Sequence, residues 1–261
     1  MHFSVRYVLL FSAAVCGVCA IFVSSLAVGL RDRQEANELL FKQRNVLEAS
    51  GLIETGGGSS AETITTLYDE RVVPVVIDLE SGKEVSDIDP ATFDQQAEKK
   101  DPGRSRAAAK NGASIKRVPI HAQIFKVKDD AGAVSMVIVP IEGYGLWSTL
   151  YGFIALDADT RTVRGLTYYQ HGETPGLGGE VDNPNWKALW PDRLAFDEDW
   201  KVKIQVIKGP AGKPADDPYR VDGLSGATIT ARGVTEMLKF WLGPDGFGPF
   251  LENFREQTGA A

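Results

Sequence analysis

A chain of 261 residues with 43% hydrophobic content suits one large domain or two small ones. Its formal charge of -7 argues against nucleic acid as a partner, because binders of nucleic acid carry a basic surplus. The only histidines, His2, His121 and His171, are too few for a zinc centre built on histidine clusters.

The first element is an uncharged apolar run over residues 7–30, YVLLFSAAVCGVCAIFVSSLAVGL, held between Arg6 and Arg31. A helix of that length spans roughly 36 Å, enough to cross a hydrocarbon core of about 30 Å with some tilt. The rival is a cleaved signal peptide, since SLA before Val28 faintly resembles a cleavage site. The run is long for a signal core of roughly 7 to 15 residues, which favours a retained anchor. Arg6 and the amino terminus oppose Arg31 and Arg33, so positive charge leaves the orientation nearly balanced. Cys16 and Cys19 form CGVC. A CxxC is a redox pair, half a metal site or merely small apolar residues in a helix. The apolar setting and the lack of a second pair favour the last. Gly17 and the serines suit packing against other membrane helices.

Beyond the anchor, Leu39, Leu40, Val46 and Leu47 fall on a helical pattern, with Gly51 as a stop. IETGGGSSAET reads as a loop, and VVPVVIDLESGKEV as a strand with a turn at Ser81 and Gly82. Residues 89–117 are polar and charged, a surface excursion that is helical around 93–100. Its basic half, 104–117, is either a solvated face or a contact for a partner or lipid headgroups. Four β-branched and aromatic runs follow, AQIFKV, VSMVIVPI, YGFIALD and VRGLTYY, which predict an antiparallel sheet. NPNWKALW predicts a short helix with Asn183 as cap and Pro184 in its first turn. WKVKIQVIKGP alternates and predicts another strand. Val234, Met237, Leu238 and Trp241 share one face of a late helix that Gly243 and Pro244 end. A last helix is expected over 249–255. The class is α+β: one membrane helix over 1–30, a helical and strand region with the charged excursion over 31–120, and a binding domain over 121–261.

Three segments carry candidate chemistry. In VDGLSGATITARGVTEMLKFWL, hydroxyls at Ser225, Thr228 and Thr230 precede the late helix. A helix N-terminus favours negative charge, so a phosphate suits this junction, and a threonine there can become esterified to it. Otherwise Thr228 or Thr230 only caps the helix. EGYGLWSTLYGF, residues 142–153, is the second segment, and YYQHGETPGLGGEVDNPNWKALW, residues 168–190, the third. Glycines 176, 178 and 179 let backbone approach a flat or anionic ligand, and Leu177 offers an apolar face. Neither GxGxxG after a strand nor GxxxxGK[ST] occurs, so a Rossmann or Walker loop is not supported.

The apolar anchor, EGYGLWSTLYGF, HGETPGLGGEV with its following tryptophans, and DGLSGATIT before a helix together resemble the C subunits of sodium-translocating NADH:quinone reductases. They are similar, more distantly, to the G subunits of ferredoxin-linked electron-transport complexes and to other FMN-binding domains. The resemblance implies FMN joined by a phosphoester to the last threonine of S/T-G-A-T, here Thr228. Asp222, Gly223, Ser225, Gly226 and Ala227 match the surrounding motif. It also implies a flavin transferase that uses FAD, and partner subunits that carry an iron–sulfur centre and another FMN. NADH, quinone and sodium are handled by those partners, since a lone span without acidic residues forms no ion path. The expected role is electron relay in a bacterial inner membrane, with the soluble domain in the periplasm.

Glu173, Thr174, Leu177 and Gly178 are the candidates for the ring pocket. Trp147 either walls that pocket or packs in the core. Lys208, at a strand end, either stabilises a reduced anionic flavin or is an ordinary surface lysine. Glu173 and His171 are proton carriers or serve turn hydrogen bonds. The alternative function is a membrane-anchored binding or assembly module whose SGAT turn only caps a helix.

Overall fold

The computed structural model describes residues 4–259, so His2 lies outside the described residues. Two units are distinct, residues up to Lys42 and residues from Gln43 onward. The first is entirely helical from Val5, part of helix α1 (Val5–Ser50). Its apolar stretch buries nothing, and the helix is long and apolar enough to cross a membrane. The apolar run and the Leu39 to Leu47 pattern belong to this single helix. It stops at Gly51, which takes φ +72°.

The second unit is built on one sheet. Helix α2 (Ala61–Arg71), strand β1 (Val72–Asp78) and helix α3 (Gln95–Lys100) come first. Strands β2 (Ser105–Ala107), β3 (Arg117–Pro119), β4 (His121–Lys128), β5 (Val134–Tyr144), β6 (Thr149–Asp157) and β7 (Val163–Gln170) follow. A 3₁₀ turn over Gly178–Asp182 leads to α4 (Pro184–Lys187), β8 (Gln205–Val206), β9 (Arg220–Val221), α5 (Thr228–Trp241) and α6 (Gly248–Thr258). The sheet order is β1-β4-β5-β6-β7, antiparallel throughout. The class is α+β, as the β-branched runs indicate.

Strand alternation sends successive side chains to opposite faces. Ile124, Val137, Val139, Ile154 and Leu166 join the core beneath α5. Phe125, Phe153 and Thr167 point the other way. There Tyr68 of α2 packs edge-on against Phe125, and Asn45 of α1 accepts from the Thr167 hydroxyl at 3.3 Å. The final turns of α1 lie so close to β7 that a Cβ at Gly165 would strike the Ala49 carbonyl. Helix α5 lies across the first face: Met237 accepts a contact from the Tyr168 hydroxyl at 3.7 Å, and Trp241 Nε1 donates to the Glu142 carbonyl at 2.7 Å.

Two expectations differ from what forms. The loop expected over 53–63 gives way at Ala61 to α2, which Ser60 caps through the Thr63 N–H at 3.1 Å. The strand expected over 200–210 shrinks to β8, paired in parallel with β9 over two residues each. Its alternation is real, since Ile204 and Val206 are buried, but it serves the core rather than a ladder. The basic excursion is pinned rather than loose: Arg106 donates to the Asp245 carbonyl at 2.9 Å, and Arg117 to the Ser105 hydroxyl at 2.8 Å.

Candidate functional site

The turn before α5 is built by its neighbours. Asp222 Oδ1 accepts the Ala211 N–H at 2.9 Å, and its carbonyl accepts Trp186 Nε1 at 2.9 Å. The Gly223 N–H donates to the Gly209 carbonyl at 2.8 Å. A Cβ at Gly223 would meet the Ile207 carbonyl, so only glycine lets the strands approach. Gly226 takes φ +70°, a left-handed conformation that costs glycine nothing. These two residues and Asp222 therefore shape the turn.

The three hydroxyls are then distinguished. The N-cap of α5 is Ala227, which has no side chain able to cap, so neither Thr228 nor Thr230 fills that role. Thr230 is fully buried and its Oγ1 donates to Glu173 Oε2 at 2.6 Å. Ser225 and Thr228 are exposed, and among the described residues neither hydroxyl has a hydrogen-bond partner. Thr228 opens onto a groove of about 690 Å³, lined by residues 205–210, the 222–226 turn and the outer face of α5. Lys208 and Arg232 stand in its walls. Sequence reading missed Arg232, although its place four residues after Thr228, on the same helical face, was a usable signal.

Glu173 ties the remaining segments together. It is 5% exposed, and its carboxylate accepts the N–H groups of Leu146, Trp147 and Ser148 besides the Thr230 hydroxyl. Burial alone would raise its pKa. The Thr230 hydroxyl and the three N–H groups outweigh burial and hold the carboxyl below its ordinary value. Gly178 lies against this knot: a Cβ there would sit 2.5 Å from Glu173 Oε2 and 2.6 Å from Thr230 Oγ1. Thr174 is exposed, and its carbonyl accepts the N–H groups of Leu177 and Gly179 at 3.1 and 2.9 Å. His171 is engaged by Asp182 at 2.7 Å and accepts the Glu173 N–H at 3.2 Å, so it serves the loop.

Two large apolar side chains stand exposed on the segments that Glu173 and the turn join to the start of α5. Trp147 is 65% exposed and Leu177 45%, so Trp147 is no core residue. Leu177 reaches the turn before α5, its Cδ2 lying 2.9 Å from where a Gly226 Cβ would be. The arrangement thus gathers the 145–148 connection, the 173–178 loop and the 222–228 turn at one helix end, with Lys208 among the residues that line the groove. A free hydroxyl, an electropositive helix end and exposed apolar side chains together fit a ligand that carries both a phosphate and an aromatic ring.

Comparison with known proteins agrees. The FMN-binding domain family matches residues 145–243. The C subunit of the Na(+)-translocating NADH-quinone reductase of Yersinia pestis is 45% identical over 255 residues, covering 97% of this chain and 94% of that one. Its counterpart from Pseudomonas aeruginosa is 47% identical over 251 residues, covering 95% of each. The crystal structure of Shewanella oneidensis NqrC superposes with a TM-score of 0.77 at 37% identity, covering 86% of this chain and 99% of that chain.

Proposed function

Because the chain belongs to the family of C subunits of Na(+)-translocating NADH-quinone reductases, we propose that it is a membrane-anchored flavoprotein subunit that relays electrons through FMN joined by a phosphoester to Thr228. The observation that carries the reading is the contrast between two threonines. Thr230 is buried and bound to Glu173, whereas Thr228 is exposed, lines the groove and is unengaged among the described residues. A helix cap, the role left to the non-catalytic alternative, is taken by neither.

Bound FMN supplies the capacity to accept and pass electrons singly. This chain's residues hold and orient. Asp222, Gly223, Ser225, Gly226 and Ala227 form the turn that presents the Thr228 hydroxyl. Trp147 and Leu177 offer the exposed apolar surface against which a ring can lie. Glu173 and Gly178 keep that surface in register with α5, and Thr174 presents its hydroxyl beside it. Lys208 contributes positive charge from the groove lining.

Residues 1–30 are the anchor in this reading, set in a bacterial inner membrane with the flavin domain on the periplasmic side. The other members of the reductase complex, among them carriers of an iron–sulfur centre and a further FMN, supply and withdraw electrons. A flavin transferase installs the cofactor. The test is the intact mass of the full chain purified from its complex, with peptide mapping. An added FMN phosphoryl group on the peptide that contains Thr228 is expected, and an unmodified Thr228 in fully active complex refutes the reading.

A further inference from the structure

We propose that Arg232 and Lys208 form the phosphate-binding site for the flavin nucleotide at Thr228. The inference rests on the reading of Thr228 above but assigns the charge partners that reading leaves open. Both cations line the same groove as Ser225, Gly226 and Thr228. Arg232 stands one helical turn beyond Thr228, so both residues share the face of α5 that walls the groove. Lys208 enters from the segment after β8.

The charge balance of the groove selects these two. It also holds Lys239, Glu236 and Asp222. Lys239 pairs with Glu236 at 3.1 Å, which cancels both. Asp222 accepts the Ala211 N–H at 2.9 Å, so its carboxylate is engaged by backbone. Lys208 and Arg232 are exposed, and among the described residues they have neither an ion pair nor a side-chain hydrogen bond. Two unspent cations therefore face one esterifiable hydroxyl at the positive end of a helix. The guanidinium can take two phosphate oxygens at once, and the ammonium adds a point charge. A phosphodiester on Thr228 carries one negative charge, which suits this pair. The residues proposed for the ring and those for the phosphate are then separate sets: Trp147 and Leu177 for the one, and the two groove cations for the other.

Full chains bearing Thr228→Ala separate reversible binding from attachment. They are titrated with FMN and with riboflavin, which differ by the phosphate alone. FMN is expected to bind about tenfold more tightly, with the preference falling as salt rises. Arg232→Gln with Lys208→Gln should abolish the preference and leave riboflavin binding unchanged, whereas Lys213→Gln, outside the groove, should not alter it. In chains that keep Thr228, the double substitution should slow flavin attachment about tenfold by intact mass, with Arg232→Lys restoring part of the rate. Equal affinity for the two flavins, or a preference and an attachment rate that survive the double substitution, would overturn the proposal. If unsubstituted chains never carry FMN on Thr228, the reading of the function fails instead, and mass spectrometry of those chains tells the two failures apart.

Discussion

Glu173 Oε2 accepts the hydroxyl of Thr230 at 2.6 Å, and this single bond separates two threonines that lie two residues apart in the chain. Thr228→Ala should abolish covalent flavin and change stability by no more than about 0.5 kcal/mol, since the side chain is exposed. Thr230→Ala should keep the flavin but destabilise the domain by about 1–3 kcal/mol, because a buried carboxylate loses a donor. In-gel flavin fluorescence and urea unfolding measure the two effects.

The same bond sets the outcome at Gly178. A new Cβ would lie within 2.6 Å of both Glu173 and Thr230, so Gly178→Val must push the knot apart. A lower melting temperature is expected, together with a shifted flavin spectrum and reduction potential, since Leu177 moves with the loop. Thr228 should still be flavinylated. An unaltered potential in the folded protein would remove Gly178 from the ring's surroundings.

Acid should cost the domain stability through Glu173. The Glu173 carboxyl titrates below its ordinary value, so its contribution to stability is complete above the unfolded pKa of about 4.3 and disappears as pH falls through the folded value. Unfolding free energy followed from pH 7 to pH 3 should drop in that window. Glu173→Gln should be less stable at pH 7 and should show a smaller drop.

Trp147→Ala offers the cleanest probe of the ring surface. Its side chain is 65% exposed, and its own N–H, which Glu173 binds at 2.9 Å, is kept in the variant. Stability should stay within about 0.5 kcal/mol. Flavin fluorescence should rise and the reduction potential should shift. Identical flavin spectra in variant and parent would place the ring elsewhere.

Membrane side is open to direct chemistry. Cys16 and Cys19 can be replaced by alanine, and a cysteine placed at Ala131 in the exposed turn between β4 and β5. A membrane-impermeant thiol reagent should label it in intact spheroplasts. Labelling only after lysis would reverse the proposed orientation.

The sheet was legible because β-branched residues recur in runs of strand length, and the late helix because Val234, Met237, Leu238 and Trp241 repeat at helical spacing. α2 was not, since AETITTLYDER buries only Ile64 and follows a glycine-rich loop. The segment over 200–210 misled because alternating burial in a core looks the same in sequence as alternating burial in a ladder. At the site, the turn before α5 was legible from local order, whereas the part played by Glu173 was not. Its donors come from residues 146–148 and from position 230, so only the folded chain assembles them.

Helix α5 is fastened along its whole length: Thr230 to Glu173 near its start, Thr235 to the Val206 N–H at 2.9 Å in its middle, and Trp241 to Glu142 at its end. A mount held at three points cannot act as a hinge. Any excursion that carries a cofactor between donor and acceptor must then arise in the rotatable bonds of the cofactor's own phosphate and sugar-alcohol chain, or in movement of the flavin-bearing body as one piece. The stiffness of this helix thus confines the search for a shuttling motion to those two sources.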